Sequence, residues 1–446
     1  MKYSSAVLLG SAASAVSAGA FCSDAVQDIL GNFFCPGAVK QIKYDGLDIA
    51  GKYRAVATMD NSGTCTYEDK AYSGPIAPYD EDLSMHFRGP IQIANVAVYT
   101  PGKSSSKREL PKGTHAKRHG HQHLHKKHHQ QKEERAVGDI VTATIDGQVV
   151  TWVNTYAGPT ADAAADSSYP VASSATSEES ESESASATKS TSAAASTATI
   201  TGDFVRSAYY NADSGDADGL VFLANVGSPG VSGTWDTVWG SSLAYVNEEG
   251  LAAAASPTVL KNTQLPDGTE IAIFSDTPCG SSCGTYRPDS VAYKGFAGAS
   301  KVFVVKFTMP DTGKTGTNEN MPAYWLLNGA IPRTGQYSSC SCWKGDNESP
   351  QQGGCGELDV VEILSPGDTR AKSTFHFANG VGDSHYIDRP VDSPITVAVV
   401  MDAATSAVSI KVLDSFDFGT SLTSEQVQDM VNDEKEVSLF SLMTFS

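Results

Sequence analysis

Long hydrophobic runs are missing from this 446-residue sequence beyond its N-terminus. The opening residues, MKYSSAVLLGSAASAVSAGAFCSD, hold one lysine, a short apolar run and then small residues that suit signal-peptidase cleavage after Ala18 or Ala20. No later segment approaches the roughly 18 consecutive apolar residues of a membrane-spanning helix, and the C-terminus lacks a long apolar tail. The sequence therefore predicts a signal peptide over residues 1–20 and a secreted, extracellular protein without a membrane anchor.

Positive charge is scarce as well, since the formal net charge is -19. The basic residues are also unevenly placed: residues 103–135 hold ten Lys and Arg against three Glu, so the rest of the chain is more acidic still. An acidic body does not attract nucleic acid. We expect no nucleic-acid partner, and we expect a monomer.

Histidine is rare outside the same basic segment, which holds seven of the ten histidines. Residues 103–136 contain almost nothing that could form a core, and they are predicted to be disordered. Clustered imidazoles bind zinc or copper in some proteins, whereas the simpler interpretation is a flexible, protease-accessible loop. We favour the loop because a disordered segment does not fix ligand geometry.

Cysteines form two odd-numbered groups, so their pairing does not follow from the sequence. The first group is Cys22, Cys35 and Cys65, and the second is Cys279, Cys283, Cys340, Cys342 and Cys355. Zinc is the alternative for the CGSSC and CSC runs. Export and the small number of nearby histidines favour disulfides. We expect no metal and no cofactor.

The chain divides into regions of different composition. Residues 21–158 alternate short apolar runs with turn signals and are predicted to form a small β-rich N-terminal domain that carries the 103–136 insert. Asp146-Gly147 joins two alternating runs, which predicts a hairpin belonging to that domain. Residues 159–201 are a Ser/Thr/Ala/Glu linker, predicted to be O-glycosylated. Residues 202–446 form the second folded unit.

The second unit consists of short strand-like runs separated by Gly, Pro and Asp, including GLVFLANV, EIAIFS, KVFVVKFTM and ITVAVVMD. Such spacing predicts an all-β sandwich or jelly roll. One late helix is indicated, with Ser424 as its N-terminal cap. Asn347, in the tripeptide NES, is the one N-glycosylation acceptor sequence.

Three acids interrupt one strand-like run, GELDVVEIL, in an unusual spacing. Glu357 and Asp359 share one face of a regular strand, whereas Glu362 would point to the other face. A β-bulge would return Glu362 to the face of the first two acids. The backbones of the two glutamates start about 13 to 16 Å apart on a straight strand. A curved sheet is therefore required to bring their carboxyl groups within the roughly 5 to 5.5 Å of a retaining glycosidase.

Like-charged carboxylates on one face suit chemistry that needs one ionised and one protonated acid. In retaining glycoside hydrolysis, one carboxylate attacks the anomeric carbon and a carboxylic acid protonates the leaving oxygen. Glu357 would be the nucleophile, Glu362 the acid/base and Asp359 the assisting acid. The simpler interpretations are a solvated edge or a calcium site, but calcium ligands usually lie in loops, not among Leu and Val.

These motifs resemble those of glycoside hydrolase family 16. GELDVVE is similar to the bulged E-x-D-x-x-E signature of its β-1,3-glucanases. MPAYWLLNG (321–329) resembles the Pro-Ala-x-Trp-Leu strand of that family, and STFHFANG (373–380) resembles its strand with a cleft-facing His. The cysteine-rich run just before the acids is a departure from the general family pattern.

Nearly the whole chain, apart from the insert and the linker, resembles the fungal target-of-SBF family of cell-wall proteins. The resemblance rests on residues 84–99, 141–158 and 340–364. It implies a β-jelly-roll catalytic domain that acts on fungal wall β-1,3-glucan, as an endo-acting retaining glucanase in wall remodelling. By motif, it also implies the same roles for the three acids.

Aromatic side chains are the expected partners of the apolar faces of pyranose rings. We predict substrate contacts from Tyr324, Trp325, Trp343 and His376. For Trp325 a core position is equally consistent with the sequence, and Trp235 and Trp239 favour the core.

The sequence is also consistent with two other functions. A sugar hydroxyl entering in place of water would make the protein a wall transglycosylase, although the extra Val of the bulged motif favours the glucanase. A noncatalytic glucan-binding wall protein is the alternative of a different class, but such a protein has no use for both Glu357 and Glu362.

Overall fold

The structure is a computed structural model of the chain. It describes the backbone of residues 26–27, 33–34, 37–102, 140–145, 148–153, 204–335, 340–351, 353–378, 380–432 and 437–441. Side chains are described over 37–102, 204–335, 340–351, 353–378 and 386–432. The predicted signal peptide, the 103–136 insert and the 159–201 linker lie outside the described residues.

Strands dominate these residues. The strands before the linker are β1 Val26–Gln27, β2 Phe33–Phe34, β3 Gln41–Asp45, β4 Gly51–Met59, β5 Cys65–Tyr72, β6 Leu83–Arg88, β7 Ile91–Pro101, β8 Ile140–Ile145 and β9 Gln148–Val153. After the linker come β10 Phe204–Asn211, β11 Asp216–Asp218, β12 Leu220–Ala224, β13 Trp235–Asp236, β14 Gly240–Ser241, β15 Ala244–Tyr245, β16 Gln264–Leu265, β17 Glu270–Ser275, β18 Lys301–Thr308, β19 Ala323–Asn328, β20 Glu357–Glu362, β21 Arg370–Phe377, β22 Gly380–Asp388, β23 Ile395–Asp402, β24 Ala407–Leu413, β25 Ser421–Leu422 and β26 Val437–Ser441. The helices are α1 Ala330–Thr334 and α2 Ser424–Val431, with a short 3-10 turn at Ser281–Cys283.

Two large sheets form a sandwich, which confirms the all-β fold. The back sheet has the order β11-β10-β7-β18-β23-β24-β3-β26, with β16 beside β7 and β25 beside β10. The front sheet has the order β15-β12-β17-β6-β19-β20-β21-β22. Side chains of both sheets meet in one apolar core, for example Phe303 and Val399 of the back sheet with Phe87 and Tyr324 of the front sheet.

The central strands β18 and β23 of the back sheet are buried on both faces, which explains the continuous apolar run KVFVVKF. Phe303 and Val305 face the core between the sheets, while Val302 and Val304 belong to a second cluster. Val427 and Met430 of α2 are part of that second cluster. Strands covered on both faces are apolar throughout instead of alternating.

The N-terminal strands β6 and β7 lie inside both sheets, so the division into separate domains 21–158 and 202–446 is wrong for the described residues. β6 pairs with β17 and β19 in the front sheet, and β7 pairs with β10 and β18 in the back sheet. Residues 37–102 and 204–432 therefore share one sandwich. The local sequence pattern predicts where each strand lies. It does not identify the strands that pair with it, because those partners are distant in sequence.

The hairpin predicted around Asp146-Gly147 is present, because β8 and β9 pair antiparallel and Ile145 faces Gln148. The two turn residues themselves lie outside the described residues. The hairpin belongs to a separate compact unit, residues 107–197, while residues 1–106 and 198–446 form the other unit. Its predicted place in the N-terminal domain is therefore wrong.

The late helix is confirmed, but its cap is one residue earlier than predicted. Thr423 is the N-cap of α2, and its side chain accepts from the Gln426 backbone N–H, while the Gln426 side chain accepts from the Thr423 N–H. This is a capping box. Helix α1 was not predicted, since its five residues are too few to show a period. None of the described helices is long and apolar enough to span a lipid bilayer.

Three disulfides are described: Cys65–Cys340, Cys279–Cys283 and Cys342–Cys355. The first joins the N-terminal group of cysteines to the C-terminal group, which explains why each group is odd in number. These pairs confirm the disulfide interpretation of CGSSC and CSC over the zinc alternative. Cys22 and Cys35 lie outside the described residues.

Candidate active site

The predicted bulge is present in β20. Asp359 pairs with Trp325 of β19 and Val361 pairs with Tyr324, so Val360 is the extra residue without a partner of its own. The pairing with β21 shifts at the same place, between Asp359 and Glu362. The bulge places Glu362 on the cavity side with the other two acids, while Val360 and Val361 are buried in the core.

The three carboxylates line one cavity of about 320 Å³, here called the carboxylate cavity. Its walls are contributed by β6, β17, β19, β20 and the loop before β20. The lining residues are Arg88, Glu270, Trp325, Trp343, Glu357, Asp359 and Glu362. Neighbouring strands bring them together although they come from widely separated parts of the chain.

Glu357 is held by a tryptophan of the preceding loop. The Trp343 indole Nε1–H donates to Glu357 Oε2 at 2.5 Å, and Glu357 is only 7% exposed. The Cys342–Cys355 disulfide joins the residue before Trp343 to a residue near the start of β20. Below the strand, the Tyr79 hydroxyl lies 2.6 Å from the carbonyl oxygens of both Glu357 and His376. The carboxylate at this position is therefore oriented by a fixed donor.

Asp359 contacts a histidine on the neighbouring strand. His376 Nε2 lies 3.3 Å from Asp359 Oδ2. Burial lowers the pKa of His376, but the hydrogen bond and charge of Asp359, with the charges of Glu357 and Glu362, outweigh it and raise the pKa overall. The imidazolium form is favoured by the acids around it. The main chain of Asp359 is held by the Ser373 hydroxyl, which donates to its carbonyl at 2.9 Å.

The surroundings of Glu362 raise the pKa of its carboxyl group, which favours the protonated form. Burial and then the charge of Asp359 raise its pKa, while the charge and hydrogen bond of Arg88 and the charge of His376 oppose the shift. Arg88 Nη2 donates to Glu362 Oε1 at 2.9 Å. The net pKa is above the ordinary value for glutamate. An acid of raised pKa thus shares the cavity with a carboxylate held by an indole donor, which is the pairing that acid and nucleophile roles require.

Trp325 lies in the floor of the cavity beside a neutral histidine. Its ring centroid is 5.2 Å from that of His86, whose pKa burial lowers to about 3. The His86 Nε2 lies 2.8 Å from the Ser84 hydroxyl oxygen. Trp325 is 4% exposed, and among the described residues its Nε1–H has no hydrogen-bond partner. The indole N–H is therefore a buried donor that has no hydrogen-bond partner among the described residues.

Sequence comparison identifies the family. One family profile, "Cell wall protein YJL171C/Tos1, C-terminal", matches residues 202–430, and its N-terminal counterpart matches residues 40–101. The chain belongs to the YJL171C/Tos1 family of cell wall proteins. This confirms the target-of-SBF resemblance seen in the sequence.

Curated relatives in this family match over most of their length. A protein of Arthroderma benhamiae, named probable circularly permuted 1,3-beta-glucanase, is 38% identical over 456 residues, covering 97% of each chain. The TOS1 protein of Candida albicans, with the same descriptive name, is 37% identical, covering 98% of this chain and 99% of its own. The TOS1 protein of Saccharomyces cerevisiae is 38% identical, covering 87% and 89%. No solved structure matches the chain.

Of the four residues predicted to contact substrate, three lie at or beside the carboxylate cavity and one lies in the core. Trp325 and Trp343 line the carboxylate cavity, and His376 is half-buried beside Asp359. Tyr324 does not reach the cavity, which corrects its predicted role: it is fully buried and stacks on Phe87 with ring centroids 4.9 Å apart. Successive residues of a strand point to opposite faces, so Tyr324 and Trp325 do not both face the cavity.

The structure also shows how exposed Trp235, Trp239 and Asn347 are. Trp235 is 50% exposed, so its predicted core position is wrong, and Trp239 is partly exposed on the same short hairpin. Asn347 is exposed on the loop that carries Trp343, which leaves the predicted glycosylation acceptor accessible.

Arg88 and Glu270 are cavity residues that the sequence analysis missed. Arg88 lies in the segment SMHFRGP, which contributed to the family resemblance but was assigned to a separate domain of unknown role. The sequence signal that could have indicated Arg88 is its position as a charged residue at the end of an apolar strand. Only the pairing of β6 with β19 shows that this charge faces the acids.

Proposed function

We propose that the protein is a secreted, retaining endo-β-1,3-glucanase that acts on fungal cell-wall β-glucan during wall remodelling. The observation that carries the proposal is the bulged strand β20, which directs Glu357, Asp359 and Glu362 into one cavity. Membership of a cell wall protein family supports the location. The relatives named as probable 1,3-beta-glucanases support the substrate class.

The first half of the proposed reaction uses Glu357 and Glu362. The Glu357 carboxylate, oriented by the Trp343 N–H, attacks the anomeric carbon while the Glu362 carboxylic acid gives its proton to the leaving glycosidic oxygen. The raised pKa of Glu362 keeps that proton available. The step breaks the glycosidic C–O bond and forms an ester between the sugar and Glu357.

The second half releases the sugar. Glu362, now a carboxylate, takes a proton from water as the water oxygen attacks the anomeric carbon. The bond to Glu357 breaks and its carboxylate is restored, with the configuration of the sugar retained. Asp359 assists by holding positive charge on His376 next to the two glutamates.

Substrate binding is assigned to Trp325 and Trp343, which line the cavity, and to His376, which lies beside Asp359. Pyranose faces stack on such rings, and fixed polar groups set their orientation.

The test is hydrolysis of laminarin by the purified full-length protein, followed by the Glu357→Gln variant. We expect Glu357→Gln to lower kcat by roughly 10³-fold or more while the protein still binds insoluble β-1,3-glucan. Glu348→Gln, an exposed residue of the same loop region, is the matched control and should keep full activity. NMR of the first products should show the β-anomer.

Each other outcome points to a different function. Products longer than the substrate identify transfer to a sugar hydroxyl, hence a transglycosylase. Glucan binding without any change in chain length identifies a noncatalytic wall protein. Full turnover by Glu357→Gln would remove the nucleophile assignment.

A further inference from the structure

Arg88 lies in the same cross-strand row as Glu362. It pairs with Ala323 of β19, and Ala323 in turn pairs with Glu362 of β20. Ala323 is two residues from Trp325, so its methyl group is on the cavity side of β19. A small residue at this position leaves room for the long Arg88 side chain to cross one strand and reach the carboxylate.

Two hydrogen bonds fix the Arg88 guanidinium in this position. Nε–H donates to the Met321 carbonyl oxygen at 2.7 Å, and Nη2–H donates to Glu362 Oε1 at 2.9 Å. The Arg88 side chain is 18% exposed and the Glu362 side chain 21%. An exposed ion pair is weak because water screens it and both side chains move. This one is shielded and anchored, so its effect on Glu362 is larger.

Several charged groups surround Glu362. Asp359 is on its own strand, Glu357 lies at the start of that strand, and β21 contributes His376 and the register partner Lys372. Beyond Arg88, Glu270 of β17 completes the row. Among the described residues, Arg88 is the only cation within 4 Å of the Glu362 carboxylate.

The two halves of the proposed reaction make opposite demands on Glu362. The first half needs its proton, and burial together with Asp359 favours that form. The second half needs the carboxylate, at the moment when Glu357 has lost its own charge in the ester. A cation is then the group that keeps Glu362 ionised in a buried site.

We propose that Arg88 is a positioning residue that holds Glu362 as an aligned carboxylate for the second half of the reaction. The inference rests on the proposed glucanase function. When Glu362 gives its proton to the leaving oxygen, the new carboxylate is already hydrogen-bonded to Arg88. It then takes one proton from water as the ester bond to Glu357 breaks, so protons and charges balance over the cycle.

Loss of Arg88 should therefore slow release of the sugar at low pH. Without the cation, Glu362 keeps its proton to higher pH, so less of the general base is present. A nearby opposite charge lowers the pKa of a carboxyl by about 1 to 3 units, and the acidic limb of kcat should move up by about one unit or more in Arg88→Gln.

The experiment uses a dinitrophenyl β-laminaribioside, whose leaving group needs no proton, so that the second half limits turnover. We expect Arg88→Gln of the full-length protein to show a burst of dinitrophenol followed by slow turnover below neutral pH. Arg88→Lys, which keeps the charge, should show a smaller shift. Arg370→Gln, an exposed arginine of β21 stacked over Tyr386, is the control and should leave the profile unchanged.

Azide gives a readout that a structural role would not produce. Azide attacks the sugar–Glu357 ester without needing a base, so it should restore turnover of Arg88→Gln at low pH and yield a β-glycosyl azide. If Arg88→Gln does not fold, Arg88→Met is used in its place, because methionine keeps the apolar stem of the arginine side chain.

The outcomes separate this inference from the glucanase proposal. Wild-type hydrolysis together with an unmoved acidic limb and no azide effect in Arg88→Gln would overturn the role of Arg88 and leave the glucanase standing. Absence of wild-type hydrolysis of both laminarin and the aryl glycoside would overturn the function itself.

Discussion

At the scale of single residues, the acids of β20 depend on donors and cations from elsewhere in the chain. Trp343 is the clearest case, because its ring lines the cavity and its N–H holds Glu357. Its proximity to glucan was predicted from its surroundings in the sequence. Its hydrogen bond to Glu357, the proposed nucleophile, was not predicted, because the loop path from Trp343 back to β20 is set by the Cys342–Cys355 disulfide.

Replacing Trp343 by Phe separates the two roles of this side chain. The ring remains for the sugar, but the donor to Glu357 is lost. We expect kcat on laminarin to fall by between about 10- and 100-fold, with KM changed little, since loss of a positioning partner costs activity more than binding.

The control for this variant is Trp235→Phe, which changes an exposed tryptophan outside the set of residues that line the cavity. Equal losses in both variants, or a rise in KM with kcat unchanged, would contradict a positioning role for the Trp343 N–H.

At the scale of elements, the β4–β5 hairpin holds the loop that carries Trp343. Cys65 of β5 is bonded to Cys340, and Arg54 Nη2 lies 2.6 Å from Asp346 Oδ2. The Ser341 backbone N–H also donates to the Tyr67 hydroxyl at 3.3 Å. The turn DNSG, residues 60–63, joins the two strands of this hairpin. The contact of the hairpin with the Trp343 loop does not follow from that turn, because a turn signal describes only the residues next to it.

Opening the Cys65–Cys340 bridge should weaken both the fold and the site. The bridge spans 275 residues, and chain-entropy estimates give roughly 5 kcal/mol for such a closure. We expect the Cys65→Ser/Cys340→Ser double variant to show a large fall in Tm and, under conditions where it stays folded, a lower kcat from the freed Trp343 loop.

The matched control is Cys279→Ser/Cys283→Ser, since that bridge spans only 4 residues and chain entropy gives roughly 2 kcal/mol for it. If the short bridge proved as important to Tm and kcat as the long one, the hairpin would not be the element that holds the loop.

At the scale of the whole molecule, the sandwich is continuous across the long segment between β7 and β10. Pro101 at the end of β7 pairs with Phe204 at the start of β10. The chain therefore leaves the sandwich at the end of β7 and re-enters it as the adjacent strand β10. In sequence, the unit of residues 107–197 comes between these two strands. Nothing in the described pairing of β7 with β10 requires the intervening residues.

Joining Gly102 directly to Asp203 tests this continuity. The deletion of residues 103–202 leaves Gly-Asp as a two-residue loop between paired strands, and Gly at the first position suits a type II′ turn. We expect the shortened protein to keep its Tm within a few degrees and its kcat on soluble laminarin within about twofold, because loop entropy changes slowly with length. Activity and circular dichroism are the measurements.

The contrasting case is a fragment of residues 202–446 alone. It lacks β6 and β7, which fill interior positions of both sheets, and it should not fold by itself. A stable, active 202–446 fragment would contradict the shared sandwich and restore the two-domain prediction.

The sequence by itself determined the strands, the hairpin turns, the bulge and the face on which Glu357, Asp359 and Glu362 lie. These features follow from the period-2 alternation of a strand and from turn residues, which act over a few neighbouring positions. Only the tertiary structure decided that Arg88 meets Glu362, that Tyr324 is core while Trp325 faces the cavity, and that Cys65 pairs with Cys340. Those outcomes depend on which distant strands pair and pack, and that choice minimises the free energy of the whole chain instead of any local segment.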